Sequence, residues 1–407
     1  MPREARVKSA ARLKLLLTLT LSIATFRSLA QGAVAAPAQS DAAFSLEQQG
    51  RYEEAETAWQ AVLKAHPASA DANAHLGFLE ARQEHYKEAV PFYRRALALN
   101  PSMPGLKLNL GLALFKAGEL KEAIQTFTSL LKDTPASSSD AQRLNTLIGM
   151  AHYGLGEYAE AVPYLKKVAA ADPRDLHYRL VLAHSCLAAH EYPCVLDVYH
   201  EILTLNAESA EADMLAGEAL DAMRNHGGAI EQFRAAVKAD PKEPNVHFGL
   251  AYLLWTQNQF DEATPEFQAE LSNAPGNAEA MTLLADCDIH NGQPEAARAL
   301  IETAIQLNTG IERAHLDLGI LNADGGKRDE ALREFKTAAR LSPGDPDVHW
   351  RLARLYQAMG RKEEAKVEFD KTSSLHKAEN ESVFSELKAA QEKGRPAEGS
   401  DSTPATQ

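Results

Sequence analysis

The sequence lacks the short motifs that mark most catalytic and metal-binding sites. It has no HExxH zinc motif, no CxxC pair, no G-x-S-x-G nucleophile motif and no phosphate-binding P-loop. Cysteine is scarce, with three in 407 residues, and the densest group of histidines, His177, His184 and His190, is spaced too widely along one helix for its first two members to share a metal ion. We therefore predict that the protein is not an enzyme and that it holds no metal ion and no cofactor.

Long hydrophobic runs are confined to the N-terminus. Five basic residues between Arg3 and Lys14 precede an apolar run from Leu15 to Phe26, and a small-x-small sequence ends at Ala30. This order is typical of a secretory signal, here residues 1–30. A membrane-spanning helix needs about 20 apolar residues, so an uncleaved membrane anchor is the less favoured alternative. We expect a periplasmic or secreted protein, most simply of a bacterial cell envelope.

Positive charge is in the minority. The chain has 42 Lys and Arg against 56 Asp and Glu, a net charge of −14, and most of the predicted signal's charge is basic. An acidic surface repels phosphate backbones and anionic headgroups. The composition therefore argues against nucleic acid as a partner, and we expect a membrane to be a partner only if the signal stays uncleaved.

Alternating runs of β-branched residues are also few, and Ala- and Leu-rich segments favour helix throughout. Within them, alanine recurs every 34 residues, with one interval of 38 and with Val195 at one mark. The marks are Ala55, Ala89, Ala123, Ala161, Ala229, Ala263, Ala297, Ala331 and Ala365. A period this regular predicts one small unit repeated about ten times. The four extra residues predict a longer loop at 136–141.

Other residues recur at fixed distances from each alanine. In residues 70–103 these markers are Leu76, Gly77, Ala89, Tyr93 and Pro101. Leu at position 7, a small residue at 8, Ala at 20, an aromatic at 24 and Pro at 32 resemble the tetratricopeptide repeat (TPR). The resemblance covers residues 36–379, in units that start near 36, 70, 104, 142, 176, 210, 244, 278, 312 and 346. It implies an all-α, right-handed superhelical solenoid of paired helices.

The C-terminal residues depart from the repeat. Residues 375–393 place Leu375, Val383, Phe384 and Leu387 among charged residues, which predicts a capping helix over the last apolar face. Residues 394–407 are rich in Pro, Gly, Ser, Asp and Thr, and predict disorder.

The resemblance also implies where a partner binds. In this family, positions 2, 5, 6, 9, 12 and 13 of the first helix line a concave groove. The residues that we select there are Phe78, Asn109, Leu112, Phe115, Arg143, Met150, Tyr153, Phe248, Tyr252 and Trp255. An apolar lining favours a scaffold that binds protein segments. The alternatives are a superhelix that buries its own inner face, and an envelope assembly or polysaccharide-export component that stacks glycan on the aromatics.

Two further features stay open. Arg351 and Arg354 occupy groove positions of the last unit and offer a contact for an acidic partner. Cys186 and Cys194 lie eight residues apart around a predicted turn, so they are either a disulfide, which an exported protein permits, or two buried apolar side chains.

Overall fold

The computed structural model describes residues 37–205 and 208–393. Within these ranges the regular elements are all α-helices, and no strand occurs there. The predicted signal, residues 1–30, and the predicted disordered tail, residues 394–407, lie outside the described residues. No described helix combines the length and the apolar character that a membrane span requires.

The described residues form twenty helices. They are α1 Pro37–Gln48, α2 Tyr52–Ala65, α3 Ala70–Arg82, α4 Tyr86–Leu99, α5 Leu106–Ala117, α6 Leu120–Lys132, α7 Ser139–Leu155, α8 Tyr158–Ala171, α9 Leu176–Ala188, α10 Tyr192–Thr204, α11 Ala210–Ala222, α12 His226–Ala239, α13 Val246–Thr256, α14 Phe260–Asn273, α15 Ala278–His290, α16 Pro294–Leu307, α17 Glu312–Asp324, α18 Arg328–Leu341, α19 Pro346–Ala358 and α20 Lys362–Lys393. Odd-numbered helices are the first helices of the repeats, and even-numbered helices are the second.

The described part of the chain divides into two compact units, with the division between residues 229 and 230. Within each unit, first and second helices of a repeat pack together, and second helices pack against the first helix of the next repeat. Each hairpin thus buries its apolar side against its neighbours, which defines an all-α repeat solenoid. The right-handed superhelical path stays a prediction.

A small residue at position 8 lets the two helices of a repeat approach closely. Gly111 of α5 lies against the ring of Phe127 in α6, which is fully buried. A Cβ atom on Gly111 would lie 2.5 Å from Cε1 and 2.9 Å from Cδ1 of that ring. The same approach joins Gly77 to Tyr93. The small residue therefore makes room for the aromatic at position 24.

The turn between the two helices uses one conformation. Position 15 has a positive φ in every repeat, at Gly118 for example with φ +84°. In three repeats this position holds a residue for which the left-handed conformation is unfavourable: Glu84, His190 and Arg224. Asn225 directly follows one of these turns, but the residue in the left-handed conformation is Arg224.

The four-residue insertion lengthens a helix, so the predicted longer loop over 136–141 is wrong. Helix α7 begins at Ser139 and is 17 residues long. The Ser138 side chain accepts a hydrogen bond from the backbone N–H of Ala141 at 3.1 Å, and Asp140 lies in the first turn. A capping serine and an acidic first turn both stabilise a helix start, so three of the loop residues become helical.

The last helix continues past its repeat. Helix α20 runs unbroken from Lys362 to Lys393, so residues 375–393 extend the second helix of the last repeat and do not form a separate element. The reason is local, because no Gly or Pro interrupts the sequence before Gly394. Its role as a cap stays a prediction.

Candidate partner-binding face

In the second unit, consecutive first helices lie side by side. Helix α13 contacts α15, and α15 contacts α17. Side chains that link the three helices come from positions 12, 9 and 2 of their repeats: Trp255, Asp286 and Arg313. We call the surface that carries Phe248, Tyr252, Trp255, Asp286 and Arg313 the first-helix face.

An aromatic row runs along α13. Phe248, Tyr252 and Trp255 are spaced by four and three residues, which places them on one side of a helix. Neighbouring ring centroids lie 6.2 Å and 5.8 Å apart. All three side chains are half-buried, and Phe248 also packs edge-on against the buried Phe267 at 6.1 Å. The three rings therefore expose apolar surface to solvent, while Phe248 also contacts the buried core.

A hydrogen-bonded network fixes the end of this row. The Trp255 Nε1–H donates to Asp286 Oδ2 at 2.7 Å. Arg313 donates from Nη2 to Asp286 Oδ1 at 2.7 Å, and from Nε to Asp317 Oδ1 at 3.0 Å. Both carboxylates are buried, whereas Arg313 is partly exposed. The indole is thus held at a set orientation by groups from two other helices.

The network contains two buried carboxylates and one guanidinium. Burial raises the pKa of Asp317 to about 7; Asp286 and Glu312 raise it too, whereas Arg313 lowers it. Burial alone would lower the pKa of Arg313, but Asp317 and Asp286 raise it above its ordinary value, so Arg313 stays charged. The single positive charge of Arg313 therefore lies beside the two carboxylates of Asp286 and Asp317, and the network has a net negative charge when both carboxylates are ionised.

In the first unit, two of the predicted groove residues belong to the core. Leu112 is 5% exposed and Met150 is 3% exposed, and each packs within a cluster of buried apolar residues. They cannot offer surface to a partner, so their selection as lining residues is corrected. The physical reason is that a first helix contacts its own second helix and both neighbouring repeats, which leaves only a narrow stripe free.

Four other predicted residues of this unit lie closer to the surface. Phe78 in α3, Phe115 in α5, and Arg143 and Tyr153 in α7 are half-buried. The Tyr153 hydroxyl lies 3.3 Å from His184 Nδ1 in α9, and its ring packs edge-on against Tyr158 at 5.5 Å. Burial raises the pKa of Tyr153 to about 12 and lowers the pKa of His184. The Tyr153 cluster is therefore a packed, uncharged contact between two first helices.

Asn109 has a different character. Its side chain is buried, and its Nδ2 finds no hydrogen-bond acceptor within the described part of the chain. A buried donor without a partner destabilises a fold by about 1–3 kcal/mol. Like Leu112 and Met150, Asn109 is too buried to offer surface to a partner, so its selection as a lining residue is corrected as well.

Sequence reasoning missed the polar side chains that contact Trp255, Arg313 and Tyr153. Asp286, Arg313 and Asp317 occupy positions 9, 2 and 6, and His184 occupies position 9. These are the positions from which apolar residues were selected, and a search for complementary charges at the same positions in successive repeats would have found them.

Histidines at position 4 have a structural role. His247, His315 and His349 are buried, and the Nδ1 of each lies 2.6–2.7 Å from a glutamate Oε2 in the second helix of the same repeat. This contact joins the two helices of a hairpin. It explains why histidine recurs at this position.

Cys186 in α9 and Cys194 in α10 form a disulfide that joins the two helices of one repeat, with Cα atoms 5.9 Å apart. Glu191 lies close enough to make a three-ligand group with them, but the bonded sulfur atoms are not available to a metal. Cys287 is free and buried, and burial raises its pKa to about 12, which makes it unreactive.

Sequence models of the tetratricopeptide repeat match most of this chain. One matches residues 41–104, 146–193 and 196–244, and another matches residues 80–148, 254–316 and 323–389. The chain belongs to the tetratricopeptide repeat family.

Similar individual proteins share only parts of the chain. Human protein O-mannosyl-transferase TMTC1 is 27% identical over 164 residues, which are 39% of this chain and 19% of the transferase. The chain therefore spans less than a fifth of that relative's length.

Solved structures include MamA, with 21% identity, 40% of this chain and 96% of that chain covered and a TM-score of 0.36. YrrB, described as a TPR protein with an unusual peptide-binding site, is 20% identical; the match covers 46% of this chain and 97% of that chain, with a TM-score of 0.37. The APC/C hetero-tetramer Cut9–Hcn1 is 14% identical; the match covers 83% of this chain and 74% of that chain, with a TM-score of 0.42. The family assignment rests on the repeat matches.

Proposed function

We propose that the protein is an exported scaffold that binds protein segments on the first-helix face and catalyses no reaction. The observation that carries this proposal is the aromatic row of Phe248, Tyr252 and Trp255. Partly exposed aromatic rings that lie side by side leave apolar surface in contact with water, which is unfavourable. Aromatic side chains also contribute much of the binding energy in protein interfaces.

The fixed orientation of Trp255 supports binding. Its indole is already held by Asp286 before any partner arrives, so little side-chain freedom is lost on association. A tryptophan anchor of this kind contributes roughly 2 kcal/mol or more when fully desolvated.

The geometry favours holding a partner over transforming it. Both carboxylates of this network accept hydrogen bonds: Asp286 accepts from Trp255 and Arg313, and Asp317 accepts from Arg313. Such bonds lock side chains in place, whereas a general base needs access to a substrate proton. The face is thus suited to recognition.

Export is part of the proposal. It is supported by the basic and apolar order of residues 1–30, and the disulfide between Cys186 and Cys194 suits an oxidising compartment. Expression of the full chain in a bacterium, followed by fractionation and N-terminal sequencing, tests it: a periplasmic protein that begins after Ala30 is expected, and a cytoplasmic protein with residues 1–30 intact contradicts it.

The binding role is tested by affinity capture with Trp255→Ala. We expect the variant to recover much less of the proteins that the parent chain captures from an envelope extract, because an aromatic anchor is lost. Gln268→Ala is the control, since Gln268 is exposed on the second helix α14. Unchanged recovery with Trp255→Ala contradicts the role of the face, and strong binding on a glycan array would favour the polysaccharide-recognition alternative.

A further inference from the structure

A cavity of about 310 Å³ opens in the first unit, between the second helices α2 and α4. We call it the α2–α4 cavity, and it shares no residue with the first-helix face. Its lining residues are Leu63 of α2, Pro67 in the following loop, Asn73 of α3, and Pro91, Phe92 and Arg95 of α4. Small-molecule sites have volumes of roughly 300–1,000 Å³. The α2–α4 cavity therefore has room for one small ring and a short substituent.

The repeat explains why a cavity forms at this place. Asn73 and Phe92 occupy positions 4 and 23 of their repeat. In three later repeats these positions hold a histidine and a glutamate that contact each other, namely His247 and Glu266, His315 and Glu334, and His349 and Glu368. Two of these histidines also lie 3.2 Å from a backbone carbonyl at position 32 of the preceding repeat, which is the position of Pro67 here. A polar pair thus bridges this location elsewhere, whereas Asn73 and Phe92 leave it open.

The walls of the cavity are mostly apolar. Leu63 and Phe92 are half-buried and pack against the core cluster that contains Trp59. Pro67 and Pro91 are exposed. Pro91 lies inside α4, and because proline has no backbone N–H, its side of the cavity offers ring carbons and no donor. Such walls suit a flat apolar group.

Two polar side chains complete the cavity. Arg95 is exposed, and it makes no hydrogen bond or ion pair within the described part of the chain. The neighbouring Arg94, in contrast, is paired with Glu122 of the next repeat. Asn73 is buried, and its Nδ2 donates to the Ser69 carbonyl at 2.7 Å, which fixes the amide in place. A guanidinium without a counter-charge favours a carboxylate, which it can bind through two parallel hydrogen bonds.

We propose that the α2–α4 cavity binds a small aryl carboxylate, with its ring against Phe92 and its carboxylate on Arg95. Phe92 and Arg95 are three residues apart, so their side chains are neighbours on the same side of α4, about 4.5 Å apart along the helix axis. A ring and an acid group joined by one carbon can therefore contact both side chains at once. This site is independent of the first-helix face, so either can fail alone.

The test is a fluorine NMR titration with 4-fluorophenylacetate, and with 4-fluorophenylacetamide as the uncharged analogue. We expect saturable line broadening for the acid, with a dissociation constant on the order of 1 mM, and much weaker binding of the amide. Arg95→Gln should weaken binding of the acid about tenfold, because a charge-assisted hydrogen bond is lost. Arg94→Gln is the matched control and should leave the affinity unchanged, since the Arg94 side chain is already paired.

A second variant copies the later repeats. Asn73→His combined with Phe92→Glu would place a histidine and glutamate pair across the cavity, and it should abolish binding while circular dichroism still shows a folded helical protein. Trp255→Ala should bind the acid as the parent does, which separates this site from the first-helix face. The proposal is overturned if the acid does not bind, if acid and amide bind equally, or if either Arg95→Gln or the double variant binds as the parent does. Because Arg95 is exposed, Arg95→Gln decides the question even if the double variant does not fold.

Discussion

Replacement of Gly111 by alanine distinguishes helix propensity from packing. Alanine is favoured over glycine inside a helix by up to about 1 kcal/mol, so propensity alone predicts a more stable protein. The structure predicts the opposite. The new Cβ would lie 2.5 Å from Phe127 Cε1, and that ring is fully buried. Overpacking of this kind destabilises by about 1–3 kcal/mol. We therefore expect a net loss of roughly 1–2 kcal/mol.

The assay is urea unfolding followed by far-UV circular dichroism, with the shift in midpoint as the measure. Gly227→Ala is the matched control, because Gly227 lies in α12 and a Cβ there meets nothing within 4 Å, so this variant should be at least as stable as the parent. A Cβ atom on Gly149 would lie 3.1 Å from Leu165 Cδ2, against 2.5 Å for Gly111 and Phe127 Cε1, so a leucine leaves more room at this contact. Phe127→Leu should therefore partly rescue Gly111→Ala. If Gly111→Ala is as stable as the parent, the packing argument is refuted.

Three other predictions concern stability. Reduction of the disulfide between Cys186 and Cys194, which are eight residues apart, should lower the free energy of unfolding by about 2–3 kcal/mol, because the bond restricts the unfolded chain. Thermal melting with and without dithiothreitol measures this loss, and an unchanged midpoint counts against it. Burial raises the pKa of Asp317 to about 7, so the folded state keeps a proton that the unfolded state releases above about pH 4. The free energy of unfolding should therefore fall by roughly 1 kcal/mol per pH unit as the pH rises from about 4 to 7. Asp317→Asn should flatten that slope in melts across this range, and a parallel slope would show that another group is responsible. Arg224→Gly should stabilise the chain by about 1 kcal/mol, because Arg224 adopts φ +64°; a lower melting temperature would contradict the turn assignment.

The repeat could be predicted from sequence because packing imposes the same requirement in every unit. Gly111 and Phe127 illustrate this, since a close helix contact needs a small residue at one position and a large one at another. Periodic apolar residues therefore place the helices. The turn at Arg224 could not be located from composition, because Asn225, Gly227 and Gly228 follow directly, yet the hairpin geometry places the left-handed conformation at position 15 of the repeat.

The candidate face was only partly predictable. The sequence indicated Phe248, Tyr252 and Trp255 through their position in the first helix, and these rings form a contiguous row. It could not indicate that Leu112 and Met150 are buried, because burial depends on how closely neighbouring repeats approach. Nor could it indicate the bonds that join side chains from three helices, since their partners are about 30 residues apart along the chain.

Photocrosslinking tests the central claim most directly. Benzoylphenylalanine in place of Tyr252 puts a reactive group within the aromatic row, and the same residue in place of Gln268 puts it on the second helix of that repeat. After irradiation in cells, we expect protein adducts at position 252 and few or none at position 268. Adducts at position 268 but not at 252 would contradict the claim that partners bind the first-helix face.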